Sequence, residues 1–170
     1  FDDVFVSATG NDEGGAGAGA GYVVYGKADS QKVNLADVAT GNSNLGFKIV
    51  GEVAGDSVYR IASGGDVNGD GIQDMMLMTA RNDEGGTNAG AAYIVYGKSD
   101  TATVNLSDFQ TTNVNGFKII GSDGGDSIFS GTINKDFNGD GLADILIGAP
   151  GSNDGAGKAY VLYGNELLGS

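Results

Sequence analysis

The sequence predicts an all-β protein whose sheets contain four antiparallel strands each. First, the 170 residues include 32 glycines and one proline, and 40% are hydrophobic, which indicates a folded chain with many tight turns. Second, the apolar runs are short, rich in β-branched and aromatic residues, and bounded by Gly, Asn or Asp, as strands are. Third, the chain repeats itself with a period of about 70 residues.

The repeat is visible in several segments that return at a constant offset. GFKIVG at 46–51 becomes GFKIIG at 116–121, and DVNGDGIQD at 66–74 becomes DFNGDGLAD at 136–144. The other matches are NDEGG at 11–15 and 82–86, YVVYGK at 22–27 and YIVYGK at 93–98, VNL at 33–35 and 104–106, and a last partial copy, AYVLYG, at 159–164. Segments that return at a constant offset are the signature of a repeat architecture, in which each repeat is one structural unit.

Each repeat contains four strand candidates, and their pattern indicates β-propeller blades. The first covers 57–63 and 127–133, the second 3–9, 74–80 and 144–149, the third 21–25, 91–96 and 158–163, and the fourth 47–50 and 117–120. Runs such as Ala92–Tyr96 are apolar at every position, which fits strands buried on both faces. Four-stranded sheets stacked face to face around an axis would bury them in this way.

We therefore divide the chain into one complete blade and two partial ones. Residues 1–51 form a partial blade with strands two to four and an insertion at 28–45. Residues 52–121 form a complete blade with the acidic loop 66–74 and an insertion at 99–115. Residues 122–170 form a partial blade with strands one to three and the acidic loop 136–144. Residues 165–170 are too few for a clear fourth strand. These ten strands amount to about two and a half blades, whereas propellers close with roughly 4–8, so we expect an incomplete propeller.

An incomplete propeller exposes sheet edges, which favour association with another chain. The expected explanation is that the chain is a piece of a longer protein, because it begins inside an acidic loop. Self-association through the open blades is the alternative. The insertions are expected to form a short turn or helix that caps the blade, with Leu35 and Leu106 packing against it.

The charge and the missing residue types exclude several classes of protein. Nine basic residues against 22 acidic ones give a net charge of −13, the opposite of a nucleic-acid binder. The chain has no cysteine and no histidine, which excludes disulfides, thiolate chemistry, histidine-dependent triads and histidine-ligated zinc. No apolar run approaches the length of a membrane span.

The acidic loops D-x-N-G-D-G-x-x-D are the clearest candidate site. Their oxygen ligands would be the side chains of Asp66, Asn68, Asp70 and Asp74, those of Asp136, Asn138, Asp140 and Asp144, and the backbone carbonyls of Ile72 and Leu142. Hard oxygens in a flexible loop suit calcium, whereas magnesium prefers a tighter octahedron with more retained water. An ion-free acidic turn is the alternative reading, since Asp, Asn and Gly favour turns by themselves. Two copies with all the ligand positions kept favour two complete calcium sites.

The residues that follow each loop separate it from the EF-hand. An EF-hand needs Glu at position 12 and a helix after the loop. Position 12 is Leu77 in one copy and Ile147 in the other, and the segments MMLM and ILIG read as strands. The same argument disfavours dockerin-type repeats.

The run DFNGDGLADILIGAP at 136–150, with GDSI before it and AYVLYG after it, resembles the FG-GAP repeat, the blade unit of the integrin α-chain propeller and of bacterial relatives. The resemblance implies an extracellular or cell-surface adhesion module, secreted and of bacterial type, with calcium in the loop that joins the first two strands of each blade. The Gly-Ala-Pro element is intact only in the last copy, and Gly-Asp at 55–56 and 125–126 replaces the family's Phe-Gly.

Asp3 aligns with Asp74 and Asp144, so a third calcium loop is expected to be truncated before it. In an antiparallel blade the calcium loops and the insertions share one end of the sheet, and the loops Asn11–Gly15, Asn82–Gly86 and Asn153–Gly155 share the other. The resemblance makes the second set candidate contacts for a ligand, although they also read as solvated turns.

The expected function is therefore a calcium-stabilised module that binds a protein or glycan ligand at the cell surface, without catalysis, nucleic acid or a membrane span. A self-assembling fibre subunit and a non-catalytic appendage of a secreted hydrolase are the alternatives. A paired-carboxylate glycosidase could work without histidine, but Glu13, Glu52, Glu84 and Glu166 are too scattered in the sequence to pair.

Overall fold

The computed structural model describes residues 1–41, 44–110 and 115–164, and their regular structure is almost entirely β. The strands are β1 Val4–Ala8, β2 Ala20–Val24, β3 Gly46–Val50, β4 Arg60–Gly65, β5 Asp74–Thr79, β6 Ala91–Val95, β7 Val104–Asn105, β8 Gly116–Ile120, β9 Ser130–Lys135, β10 Asp144–Ala149 and β11 Lys158–Leu162. The helices are α1 Leu35–Ala39, a 3-10 helix Leu106–Gln110, and α2 Ser152–Gly155. The chain forms two compact units, Phe1–Tyr59 with Ser99–Phe109 and Arg60–Lys98 with Gln110 onward.

The first unit contains one sheet in the order β1-β2-β3-β7. The first three strands pair antiparallel, and β7 pairs parallel to β3, with Ile49 opposite Val104 and Val50 opposite Asn105. Helix α1 packs against β2 and β3 and buries Val38. Asn34 caps this helix by accepting a hydrogen bond from the N–H of Ala36 at 3.1 Å, as expected of an N-cap asparagine.

The second unit contains two sheets, ordered β4-β5-β6-β8 and β9-β10-β11, and all their pairings are antiparallel. Its core combines side chains from both sheets: Met76, Met78 and Ile94 with Ile133, Ile145 and Ile147. Strand β5 is buried at every position. The predicted all-β class and the four-stranded antiparallel blade are therefore confirmed, and the fold is that of an incomplete, β-propeller-like array.

Two details of the strand assignment were wrong. The first strands of the blades start at Arg60 and Ser130 rather than at Ser57 and Ser127, because both serines have left-handed backbone (φ 51° and 54°), which a strand does not accommodate. The described residues also contain eleven strands instead of ten, since the second insertion supplies β7.

The helical expectation for the insertions holds for α1 and for the 3-10 helix, and Leu106 is fully buried as expected. Residues 165–170, including Glu166, lie outside the described part of the chain. Among the described residues, no helix is both long enough and apolar enough to cross a membrane.

Candidate metal centre

The first acidic loop joins β4 to β5 and is held in a tight curl by its own carboxylates. Asp66 Oδ1 accepts from the N–H of Gly69 at 2.7 Å, and Asp66 Oδ2 accepts from that of Gly71 at 2.8 Å. Asn68 Oδ1 accepts from the N–H of Asp70 at 3.0 Å, and Asp70 Oδ1 accepts from that of Ile72 at 2.7 Å. The first three predicted ligand side chains are thus each positioned by an amide further along the loop.

The second acidic loop joins β9 to β10 and repeats this pattern. Asp136 accepts from Gly139 at 2.6 Å and from Gly141 at 2.9 Å. Asp140 Oδ1 accepts from the N–H of Leu142 at 2.8 Å, and Asn138 Oδ1 accepts from that of Asp140 at 3.0 Å. Because the two loops differ at several side chains but share every one of these bonds, the geometry follows from the motif itself.

The last aspartate of each loop is a buried brace. Asp74 accepts from the N–H of Val67 at 2.8 Å and from that of Gly97 at 2.8 Å. Asp144 does the same with Phe137 at 2.6 Å and Gly164 at 3.0 Å. Both aspartates are fully buried. Through these hydrogen bonds, each carboxylate ties its loop to the glycine that lies two residues beyond the third strand of the blade.

Asp3, the predicted remnant of a third loop, keeps half of this brace in the first unit. Its Oδ1 accepts from the N–H of Gly26 at 2.8 Å, and Gly26 is the counterpart of Gly97. Sequence analysis had not assigned a partner to these glycines, although their constant place after the third strand was visible in the repeats.

Glycines at positions 4 and 6 of each loop have left-handed backbone. Their φ values are 77° and 85° at Gly69 and Gly71, and 81° and 92° at Gly139 and Gly141. Residues with a Cβ are strained there, which explains why both repeats use N-G-D-G. All the predicted ligand side chains of one loop lie within nine consecutive residues.

The acidic residues of the first loop affect the protonation of their neighbours. Burial raises the pKa of Asp74 to about 6, against the opposing hydrogen bonds from Gly97 and Val67, and Asp70 and Asp66 raise it further. Burial together with Asp74 and Asp70 also raises the pKa of the Tyr96 phenol. In the second loop the N–H of Gly141 leads the hydrogen bonds that lower the pKa of Asp136.

The chemistry of both loops fits a hard divalent cation, because the atom that each predicted ligand residue would offer to a metal is an oxygen. A carboxylate has about four lone-pair sites, so one bond to an amide leaves acceptor capacity on the same group. The carboxylates are turned onto loop amides, and no three acidic side chains among the described residues converge into a metal cluster. When bound, calcium would supply the countercharge for each loop.

The two loops lie next to each other in the second unit. The N–H of Ala143 donates to the backbone carbonyl of Asp66 at 2.9 Å. A polar pocket of about 200 Å³ opens between them and is lined by Asp66, Lys135 and Asp136 among others. The first ligand positions of both loops therefore border one cleft.

The loops at the opposite end of the sheets have an internal structural role that sequence analysis missed. Glu13 forms an ion pair with Lys48 of β3, and Glu84 forms one with Lys118 of β8. Both lysines also lie over tyrosine rings, Lys48 at 5.7 Å from the centroid of Tyr22. The signal was present in the sequence, because NDEGG and GFK recur together.

Asp126, which stands where the family pattern has glycine, organises the start of the last blade. Its carboxylate accepts from the hydroxyl of Ser152 at 2.5 Å, from the hydroxyl of Ser122 at 3.0 Å, and from the N–H of Asp123 at 3.1 Å. These bonds, the one from Ser152 above all, lower the pKa of Asp126. The Gly-Asp substitution thus has a structural reason.

Comparison with known families supports the relationship that the loops suggest. The family model of the FG-GAP repeat matches residues 57–95, which contain β4, β5, β6 and the first loop, and residues 136–162, which contain the second loop, β10 and β11. A comparison with curated proteins found no match. One acidic loop lies inside each matched segment, and the chain therefore contains FG-GAP repeats at residues 57–95 and 136–162.

Proposed function

We propose that this chain is a calcium-stabilised, extracellular β-propeller module for adhesion to a protein or glycan ligand, without catalytic activity. The observation that carries the proposal is the identical curl of the two acidic loops. The oxygen-only donor set supports calcium, and the FG-GAP matches support an interaction module of the cell surface. Asp66, Asn68, Asp70, Asp74 and the Ile72 carbonyl would bind one ion. Their counterparts Asp136, Asn138, Asp140, Asp144 and the Leu142 carbonyl would bind the other.

Electrostatic repulsion within each loop is the reason to expect an ion. Three aspartates share nine residues in each copy, and the raised pKa of Asp74 reflects the cost of keeping one of them buried and charged. A divalent cation relieves this cost by favouring the charged carboxylates. The net charge of −13 adds a long-range repulsion that bound cations also reduce.

The expected stabilisation follows from mass action. Extracellular calcium modules bind with Kd of about 10⁻⁴–10⁻³ M. At 10 mM calcium, one such site would then raise the free energy of unfolding by about 1.4–2.7 kcal/mol.

Thermal unfolding measured with calcium and after chelation tests the proposal. We expect calcium to raise the Tm, and Asp66→Asn and Asp136→Asn each to remove part of this increase. Asp154→Asn is the matched control, because it makes the same charge change at an exposed residue of the opposite loops. An unchanged Tm on chelation, or an equal loss of the calcium effect in Asp154→Asn, would contradict the calcium sites.

The adhesive role has a separate readout. Binding to immobilised glycans and extracellular proteins should be stronger in calcium than in chelator, because the ions hold the blades in the folded state. The loops Asn11–Gly15, Asn82–Gly86 and Asn153–Gly155 are each a proposed ligand contact within their own unit. Charge reversal of the exposed Asp12, Asp83 or Asp154 should therefore weaken binding. Turnover in a glycosidase or lipase screen would overturn the non-catalytic proposal.

A further inference from the structure

The outer strands β3 and β8 have almost the same sequence but different surroundings. GFKIV of β3 is buried at all five positions, whereas GFKII of β8 is buried only at Gly116. The exposed fraction is 5% at Val50 and 43% at its counterpart Ile120. Since the sequences match, the difference comes from what covers each strand.

Strand β3 packs against helix α1 and is also covered by a segment of the second insertion. Val104 and Asn105 pair in parallel with Ile49 and Val50. The hydroxyl of Tyr25 donates to the carbonyl of Asp100 at 2.6 Å, and the hydroxyl of Thr101 donates to the carbonyl of Gly41 at 2.8 Å. In the described residues, β8 pairs only with β6, so its outer edge has no equivalent cover.

The first insertion contains the same docking segment without a strand to pair with. Residues 28–35 (ADSQKVNL) match residues 99–106 (SDTATVNL). Val104 and Leu106 are 1% and 0% exposed, whereas Val33 and Leu35 are only partly buried, and residues 28–34 form no strand. Val33 and Leu35 pack against the core cluster of their own blade, but the segment forms no strand pairing in the described residues and leaves these side chains partly exposed.

The two segments share one local feature, a turn at their first aspartate. Asp29 Oδ1 accepts from the N–H of Gln31 at 2.8 Å, as Asp100 Oδ1 does from that of Ala102 at 2.8 Å. A segment that needs little reordering loses less entropy on binding. The exposed apolar surface beside β8 includes a pocket of about 250 Å³, lined by Ile119, Ile120 and Val161 among others.

From these matches we propose that the outer edge of β8 binds the Val33–Leu35 segment of a second copy of this chain as a parallel strand. The register follows that of β3 and β7: Val33 lies opposite Ile119 and Asn34 opposite Ile120, with the Asp29 carbonyl within reach of the Tyr96 hydroxyl. Strand addition of this kind satisfies backbone groups that an open edge leaves unpaired. Because donor and acceptor are different surfaces, the contact is head-to-tail and continues from copy to copy.

Cysteine cross-linking tests the register directly, since the chain has no native cysteine. Asn34→Cys and Ile120→Cys, both at exposed positions, are placed on separately tagged chains, mixed and oxidised. We expect mixed dimers in excess of what random collision gives. The positive control is Val50→Cys with Asn105→Cys in one chain, which should close an intrachain disulfide because β3 and β7 place these residues opposite each other. A yield of mixed dimer no higher than random collision gives would overturn the proposal. An intrachain disulfide in a single chain that carries both Asn34→Cys and Ile120→Cys would overturn it as well.

Sedimentation provides the second test. Ile120→Lys places a charge on the edge and should weaken association by at least about tenfold. Val53→Lys is the control, because Val53 is 46% exposed and lies outside β8. Melting curves of both variants check that they fold. A chain that stays monomeric at every concentration, or association unchanged in Ile120→Lys, would refute the second-copy interface.

Repeating the measurements in chelator separates this interface from the proposed calcium sites, because neither paired segment contains a loop ligand.

Discussion

The N–H of Gly97 donates to Oδ1 of Asp74 at 2.8 Å, which joins two residues 23 positions apart. The bond ties the end of the first acidic loop to the turn that follows β6, and Asp144 and Gly164 repeat it in the last blade. The last aspartate of the motif therefore braces the sheet in addition to its proposed role as a calcium ligand. The two roles lead to different experimental outcomes.

The brace predicts that Asp144→Asn destabilises the chain even without calcium. An amide has only one acceptor oxygen, so either the N–H of Phe137 or that of Gly164 would lose its partner. A buried unsatisfied group costs about 1–3 kcal/mol. Urea unfolding in chelator measures the loss, with Asp154→Asn as the control. Equal stability of Asp144→Asn and the parent chain in chelator would contradict the brace.

The raised pKa of Asp74 predicts a pH dependence of the ion-free chain. Because the folded-state pKa of about 6 lies above the unfolded value of about 3.9, the folded chain binds the proton more tightly. This contribution to stability is fully present below about pH 4 and is lost as the pH rises through 6.

Asp74→Asn isolates that contribution. In metal-free buffer, the parent chain should lose stability relative to this variant between about pH 4 and pH 6. Below that window the lowered pKa values of Asp136 and Asp126 act with the opposite sign, since their stabilisation is lost as these groups become protonated. Parallel Tm curves of the two chains across pH 4–6 would show that Asp74 does not titrate in this way.

Backbone conformation predicts a cost for a side chain at Gly71. Its φ of 85° lies in the region where an L-residue loses about 1–2 kcal/mol, although the space around it is open. Gly71→Ala should therefore lower the free energy of unfolding and weaken calcium binding. Gly10 also has open space but no left-handed φ, so Gly10→Ala should leave stability unchanged or slightly higher. The same loss in both variants would mean that backbone conformation is not the cause.

The ion pair between Glu13 and Lys48 predicts a non-additive mutational cycle. The Lys48 side chain is 5% exposed, so Glu13→Gln would leave a buried ammonium without its countercharge and cost roughly 1–3 kcal/mol. Adding Lys48→Met should recover most of this loss, because the charge that needed a partner is gone. Denaturant unfolding of the two single variants and the double variant gives the coupling, and simple additivity would rule out the pair as a stabilising contact.

Much of the fold and of the candidate site was predictable from local patterns. The acidic loops are determined within nine residues, because Asp, Asn and Gly direct the bonds of their own backbone. The second and third strands of each blade were located closely because apolar runs end at turn residues. The first strands were placed three residues early, since the left-handed backbone of Ser57 and Ser127 has no signature in the residue type.

By itself, the sequence determined the repeat, the antiparallel strands of the blades and the oxygen-rich loops, all of which depend on residues close together in the chain. The tertiary structure alone decided that Val104 and Asn105 pair with β3, that Lys48 meets Glu13, and that Asp126 receives the Ser152 hydroxyl. These contacts join residues 26 to 55 positions apart, where no local period or turn preference relates one partner to the other. The two-residue strand β7 shows the reason, because its pairing depends on the uncovered edge of β3 and not on its own sequence, which also occurs unpaired at Val33 and Asn34.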